Sequence, residues 1–301
     1  MGDDSEAIKL EKDSIYLADN LEVLRRLPDE SFQMIYVDPP FNTGTTQRRV
    51  TLRTVRDAAG DRVGFQGRRY RSETQSVHRY SDIFADYLGY LEPRLLEAWR
   101  TLKATGTFYL HLDYREVHYA KVLLDSLFGR DSFLNEIIWA YDYGARSKRR
   151  WPAKHDNILV YVKDPDLYYF DTTAVDREPY MAPGLVGPEK AARGKLPTDV
   201  WWHTIVSPTG KEKTGYPTQK PEGIVRRMVQ ASTAPGDWVL DFFAGSGTTG
   251  AVAKKLGRHY LLVDKEPEAV RLMRLRLADQ AMQLPLSEVE TRAGSHGATD
   301  L

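Results

Sequence analysis

Two short segments, far apart in the chain, combine residue types that can do chemistry. The first is Asp38-Pro39-Pro40-Phe41. Prolines offer carbonyl acceptors without a competing N–H and fix their geometry. A carboxylate beside such a carbonyl can accept both N–H bonds of an amine, and the neighbouring aromatic ring can stack on the flat group that carries it. An amine attached to an aromatic ring is a poor nucleophile, because its lone pair is delocalised. Two fixed acceptors can draw it toward tetrahedral geometry and stabilise the positive charge that grows as it attacks. A lone Asp-Pro-Pro is more often just the rigid end of a strand, so the chemical reading needs a second motif.

That motif is Asp241-Phe242-Phe243-Ala244-Gly245-Ser246-Gly247-Thr248-Thr249. It lies between an expected strand and an expected helix. Glycines there let the backbone turn tightly against a ligand, and the helix start offers free N–H donors. Asp264 ends the following strand, where an acid accepts hydrogen bonds from both ribose hydroxyls of a nucleoside. The third glycine of G-x-G-x-x-G is missing, which weakens a dinucleotide reading. A glycine turn used only for packing is the alternative, and the acid at the next strand end weighs against it.

The elements that position these motifs follow from the apolar pattern. Ser31 to Val37 reads as a buried strand closed by Asp38-Pro39-Pro40. Ser81 and Asp82 are expected to start a helix that runs to about Lys103 and closes at Gly106. A strand over 107–112, a helix over 116–127 and a strand over 135–140 follow. This alternation predicts a parallel sheet with helices on its faces. From Tyr141 to about Tyr216 the pattern gives way to glycine, proline, basic and aromatic residues, with a clear strand only over 157–162. Regular order then resumes with a helix from Pro221 to Ser232, strands over 238–242 and 259–263, and helices over 248–256 and 267–278. The polar last twenty or so residues are expected to fray. The chain is therefore divided into 1–140, an insert 141–215, and 216–301.

Composition narrows the function classes. The chain has 301 residues and no cysteine, so disulfides, thiolate metal sites and cysteine nucleophiles are excluded. No apolar run is long enough for a membrane span and the acidic start lacks a signal-peptide layout, so a cytoplasmic location without membrane contact is expected. The 42 basic and 42 acidic residues cancel, but their distribution is uneven. Between Asn42 and Tyr80 nine arginines meet three acids. A second basic cluster comprises Arg146, Lys148, Arg149, Arg150 and Lys154, and the two are interleaved with Tyr70, Tyr80, Tyr141, Tyr143 and Trp151. Solvated surface is the plain reading of such runs; a phosphate-binding, base-stacking surface is the functional one.

Taken together, these segments resemble the β-class, circularly permuted DNA amino-methyltransferases of bacterial restriction-modification and epigenetic systems. The resemblance extends over nearly the whole chain: LADN at Leu17–Asn20, DPPFNTG at Asp38–Gly44, TFYLHLD, KHDNILVYVKD, YPTQKPEGIV from Tyr216, and FFAGSGTTGAVAKKLGR from Phe242. It implies an α/β, Rossmann-like S-adenosylmethionine-dependent methyltransferase sheet, permuted so that the catalytic half precedes the cofactor half, with the insert as target-recognition region. Carried over residue by residue, Phe242, Phe243, Ala244, Gly245, Ser246, Gly247, Thr248 and Thr249 hold the methionine part of S-adenosylmethionine. Asp264 takes its ribose, and Asp19 and Asn20 lie near its adenine. Asp38 borders both cofactor and base. Thr218 to Pro221 match a segment that packs against the methionine end, where Lys220 is placed to pair with the cofactor carboxylate, a solvated lysine being the alternative. Many relatives have Asp-Pro-Phe where this chain has Asp241-Phe242-Phe243, which changes turn rigidity.

The resemblance further implies a flipped base in double-stranded DNA as target, with Asp38, Pro39, Pro40 and Phe41 catalytic and no metal. A leading Asp favours adenine N6; cytosine N4 is the alternative, and an RNA or protein-glutamine methyltransferase or an inactive DNA-binding protein are remoter ones. Arg48, Arg49, Arg68 and Arg69, taken as an Arg-rich loop, and Arg146, Lys148, Arg149, Arg150 and Lys154 in the insert are expected to contact DNA. A homodimer and a cognate restriction endonuclease are expected partners. His111 and His118 with Asp113 do not have helical metal-ligand spacing, and hydrogen-bonded polar positions are expected there.

Overall fold

Short apolar runs alternate with amphipathic ones, and most become the element their period demands. In chain order the elements are β1 (Ser14–Leu17), α1 (Asn20–Arg26), β2 (Phe32–Val37), β3 (Thr45–Arg56), β4 (Arg62–Val63), β5 (Arg69–Asp82), α2 (Tyr87–Thr101), β6 (Leu102–Leu112), α3 (Val117–Phe128), β7 (Phe133–Ala140), β8 (His155–Val162), α4 (Pro188–Arg193), β9 (Val200–Trp202), α5 (Glu222–Ser232), β10 (Trp238–Asp241), α6 (Thr248–Lys255), β11 (His259–Asp264) and α7 (Pro267–Ala278). The structure, a computed structural model, describes residues 7–11, 13–56, 62–63, 69–82, 84–144, 146–207 and 209–278, with the backbone path alone for those between 45 and 81. Arg68 and the polar carboxyl-terminal segment lie outside the described residues.

Eight strands form one sheet in the order β1-β11-β10-β2-β6-β8-β7-β9. β1, β11, β10, β2 and β6 run parallel, so their carboxyl ends share one edge. The expected parallel sheet is found except at β8, which runs antiparallel to both β6 and β7, while β9 pairs parallel with β7. The cause is local: β7 and β8 are joined as a hairpin through residues 141–154, which pairs its strands antiparallel. β8, expected from the sequence to belong to the insert, is thus an interior strand of the sheet, buried along nearly its whole length.

Helices cover both faces. α1, α2 and α3 bring Leu24, Leu91, Leu95 and Leu124 against Ile35, Val37, Phe108 and Leu110. α5, α6 and α7 bring Val225, Met228, Val252 and Met273 against Met34, Tyr36, Val239 and Leu262. Alternate residues of β2 serve opposite cores, so a strand covered on both faces reads as one continuous apolar run. Among the described residues no helix is long and apolar enough to cross a membrane.

The chain leaves β2 toward β6 and leaves β10 toward β11, on opposite sides. β2 and β10 are neighbours, so the crevice beyond their carboxyl ends is the switch point at which such sheets hold ligands.

Two expectations are corrected here. The Arg-rich stretch is largely strand: β3 and β5 pair from Thr45↔Asp82 to Arg56↔Tyr70, with β4 added to β5. The β-branched residues Thr45, Thr46, Val50, Thr51, Thr54 and Val55 favour that conformation despite the charge. Ser81 and Asp82 close β5 and do not start a helix; Asp86 caps α2, its carboxylate accepting the Gly89 N–H at 2.8 Å. α2 ends at Thr101 and Gly106 lies inside β6, because the fully buried Leu102 already pairs with Phe32 of β2.

Candidate active site

β1 leads into Asp19, β2 into Asp38 and β6 into Asp113, while β10 and β11 close on Asp241 and Asp264. Parallel strands bring these acids to one edge, and all but Asp113 line one cleft.

The first wall is the Asp38-Pro39-Pro40-Phe41 turn, fixed from three elements. The Tyr87 hydroxyl of α2 donates to the Pro40 carbonyl at 2.7 Å. Asn42 turns the chain in a left-handed conformation, φ 51°. The N–H groups of Asn42 and Thr43 donate to the carboxylate of Asp82, at the end of β5, at 2.8 and 3.1 Å. The Asn42 side chain donates to Glu116 at 2.7 Å and accepts the Phe84 N–H at 3.1 Å. Beyond the turn, Lys220 reaches in from the start of α5, its Nζ lying 2.7 and 2.6 Å from the two oxygens of Asp38. The same ammonium sits 4.9 Å from the centre of the Phe41 ring.

The second wall is the glycine turn between β10 and α6. The Gly245 N–H donates to one oxygen of Asp264 at 2.8 Å and the Glu266 N–H to the other at 2.9 Å. Gly245 has φ +49°, and a Cβ there would come within 3.1 Å of the Tyr216 ring. Asp241 is buried and accepts the Thr249 hydroxyl at 2.6 Å and the Phe243 N–H at 3.1 Å. Burial pushes the Asp241 carboxyl up to about 7, against the opposing pull of those two donors. Burial likewise raises Asp264, opposed by its two backbone N–H partners.

At the far end Asp19 caps α1, accepting the Leu21 N–H at 2.9 Å. Arg94 lies 3.1 Å from its other oxygen and donates to Asn20 at 2.6 Å, while Asn20 donates to the Phe242 carbonyl at 2.8 Å. Sequence reasoning missed Arg94. Its signal was faint: an arginine among Leu91, Leu95 and Ala98, the buried positions of α2.

The cleft brings together Asp38, Pro39, Pro40 and Phe41 with Asp19, Asn20, Lys220, Phe243, Ala244, Gly245, Ser246, Thr248, Thr249 and Asp264. Two expected members do not reach it. Phe242 is 1% exposed and packs in the core, offering only its carbonyl to Asn20. Gly247 shapes the helix entry at φ +72°, with Met273 so close that a Cβ would approach its side chain to 2.7 Å. Tyr36, Thr43, Asp82, Tyr90, Tyr216, Asp241, Lys265 and Glu266 join the lining without having been expected as site residues.

Beneath Phe41 lies a buried polar chain. His111 Nδ1 is 2.7 Å from the Tyr36 hydroxyl and its Nε2 is 3.3 Å from Asp156, which also accepts from the Tyr141 hydroxyl at 2.9 Å. The His111 and Phe41 ring centres are 6.0 Å apart. Burial works to raise the Asp156 carboxyl, but hydrogen bonding and charge from His111, with the charge of Lys220, bring it below its ordinary range.

Of the cations expected on DNA, Arg146, Lys148, Arg149 and Arg150 are exposed on the β7–β8 loop, at the edge that carries the cleft. Lys154 closes that loop, donating to the Gly144 carbonyl at 3.3 Å with Asp142 3.8 Å away. Arg48 and Arg49 stand on β3 and Arg69 opens β5.

A sheet covered on both faces, with a glycine turn and strand-end acids opposite an acid-Pro-Pro-aromatic turn, defines an α/β enzyme of the Rossmann-like methyltransferase class. Solved structures share this fold. The chain is similar to the PvuII DNA methyltransferase (cytosine-N4-specific), with TM-score 0.61 and 18% identity over 91% of this chain and 92% of that one. An M1.HpyAVI-SAM complex is similar at TM-score 0.55 and 21% identity, covering 88% and 98%. Residues 32–275 match the DNA methylase family of N6/N4 methyltransferases, and the chain belongs to that family. Among its relatives, the DNA adenine methyltransferase YhdJ of Escherichia coli (strain K12) is 30% identical, covering 94% of this chain and 89% of the relative. The type II methyltransferase M.HpaI of Haemophilus parainfluenzae is 29% identical, covering 85% and 71%.

Proposed function

We propose that the protein transfers a methyl group from S-adenosylmethionine to the N6 amine of an adenine swung out of duplex DNA. The observation that carries this reading is the shared cleft, in which Asp38 and Phe41 stand together with the glycine turn and Asp264.

The lining suits that cofactor. Asp264, already organised by two backbone N–H groups, accepts ribose hydroxyls. Tyr90 and Phe243, ring centres 6.3 Å apart, supply flat apolar surface for the adenine near Asp19 and Asn20. Lys220 supplies the cation for the carboxylate, beside Ser246, Thr248 and Thr249. Bound S-adenosylmethionine supplies an electrophilic methyl on a sulfonium that carries its own leaving group. Asp38 and the Pro39 carbonyl accept the two N–H bonds of the target amine, and Phe41 stacks on the extruded ring. Asp38, its side chain only 16% exposed, stabilises the positive charge that develops on the attacking nitrogen. Asp38→Ala is expected to abolish methylation while cofactor binding by calorimetry persists; near-normal turnover would remove the mechanism.

Adenine is favoured by the acid that leads the Pro-Pro-Phe turn and by the relative named an adenine methyltransferase. Cytosine N4 is the second reading, favoured by the fold shared with the cytosine-N4-specific structure. A nucleoside digest of modified DNA, scored for N6-methyladenine against N4-methylcytosine, decides between them. On this reading residues 1–140 and 216–301 form the permuted catalytic and cofactor halves, and loops of 141–215 read the target. A cognate endonuclease, a homodimer and a cytoplasmic location belong to the same reading; the first has support in relatives named type II methyltransferases.

A further inference from the structure

Trp151 is 95% exposed on the loop that joins β7 to β8. An indole is the largest apolar side chain, and leaving it in water forgoes burial that the fold provides for Trp139 and Trp201. Its surroundings identify what covers it. Arg146, Lys148, Arg149 and Arg150 precede it, all exposed, and the one acid of the loop, Asp142, lies near Lys154. That is a surface for a polyanion with flat, stackable groups.

The loop is held so that Trp151 is presented. The Ser147 hydroxyl accepts the N–H groups of Arg149 and Arg150, each at 3.2 Å, forming a turn just before the tryptophan. Arg150 donates to the Tyr114 hydroxyl at 3.2 Å, tying the turn to the segment after β6. Pro152 follows and biases the Trp151 backbone toward an extended conformation. The loop base is rooted by the Tyr141 N–H, which donates to the Lys154 carbonyl at 2.9 Å. Tyr141 is also one end of the chain through Asp156 and His111 that stops against Phe41. The base of the loop that carries the indole and the ring expected to receive the extruded base are thus joined to one buried polar chain.

We propose that Trp151 is a wedge that enters the base stack of the duplex beside the target and occupies the space the target base leaves. Apolar side chains inserted between base steps unstack them, and an aromatic ring replaces part of the stacking that is given up. Trp151 touches no reacting atom; it is a positioning residue that stabilises the opened duplex. The proposal rests on the reading of the cleft as the seat of an extruded base.

The test compares wild type, Trp151→Ala and Trp151→Phe on two duplexes. Both carry the site that the wild-type enzyme methylates, located by modification-sensitive sequencing of DNA from an expressing host. In one the target base is paired; in the other it stands opposite an abasic position and is already unpaired. Trp151→Ala is expected to lower kcat/KM about 10- to 100-fold on the paired duplex, the size of one base–aromatic stack. On the unpaired duplex the loss should be under about threefold, which also shows that the variant is folded and binds cofactor. Trp151→Phe should recover most of the paired activity. An Ala variant equal to wild type on the paired duplex, or equally impaired on both, overturns the wedge. Wild-type enzyme that methylates no DNA overturns the reading of the cleft, and the proposal with it.

Discussion

The ammonium of Lys220 spans both carboxylate oxygens of Asp38, at 2.7 and 2.6 Å, joining segments 182 residues apart in sequence. Their side chains are only 11% and 16% exposed. On the proposed function, Asp38 presents to the incoming amine a carboxylate already oriented by Lys220. An acidic group of the cofactor that draws on the same ammonium would loosen that hold and leave Asp38 freer to accept from the base.

Breaking one side of this pair leaves the other charge nearly buried and unpaired. Lys220→Met should destabilise the protein by about 2–4 kcal/mol, whereas adding Asp38→Asn should recover most of that loss without restoring methylation. Urea midpoints across the double-mutant cycle measure the coupling. Strictly additive losses would show that the pair contributes nothing as a pair.

Asp241 gives a pH dependence of definite sign. Its folded carboxyl titrates near 7, well above an unfolded aspartate, mainly because it is buried. Its stabilising contribution is complete below about pH 4 and is lost as pH rises toward 7, where the native protein must ionise it out of water. Between those limits the native protein should lose stability relative to Asp241→Asn by on the order of 2–4 kcal/mol. Chemical denaturation of both proteins from pH 4 to pH 8 checks this; parallel curves would refute it.

The Tyr87 hydroxyl holds the Asp38-Pro39-Pro40-Phe41 turn through the Pro40 carbonyl. Tyr87→Phe should cost about 1 kcal/mol of stability. Turnover should fall about tenfold through misplacement of the reacting groups, while cofactor affinity remains within about twofold. A rise in the Kd for S-adenosylmethionine with unchanged kcat would contradict a role in holding the turn.

Exposed cations on the β7–β8 loop predict a salt signature. Replacing Lys148, Arg149 and Arg150 with alanine should weaken binding to duplexes of any sequence. The slope of log K against log salt should become shallower by roughly 0.9 for each phosphate that is no longer neutralised. Titrations by fluorescence anisotropy at several salt concentrations give the slope, and an unchanged slope would move the DNA-binding surface elsewhere.

Much of this site could be read from residue order because its parts are backbone devices. Gly245 must adopt a positive φ beside Tyr216, and Asp264 must end its strand where the Gly245 N–H points; both requirements leave marks in a sequence. The parallel order of most of the sheet was visible too, in runs such as 32–37 that are apolar on both faces. What escaped depends on contacts between distant elements. Arg94 looks like one more surface arginine until α2 docks on α1 and brings it to Asp19 and Asn20. Nothing in the period of β8 reveals that it inserts between β6 and β7, since a buried strand reads the same in either direction. The hairpin of β3 and β5 was hidden by its own arginines, whose charge resembles that of a solvated loop while the threonines and valines between them favour a strand.

The β7–β8 connection has a consequence beyond its chemistry. Its two ends are clamped together, Ala140 paired with His155 and the Tyr141 N–H bonded to the Lys154 carbonyl. Between those clamps the described residues of the segment add no ladder pair to the sheet, and Arg150 ties them back to Tyr114 after β6. On the proposed function, changes within that segment would alter which duplexes are engaged and how readily they open, while the Asp38 turn and the glycine turn keep their places.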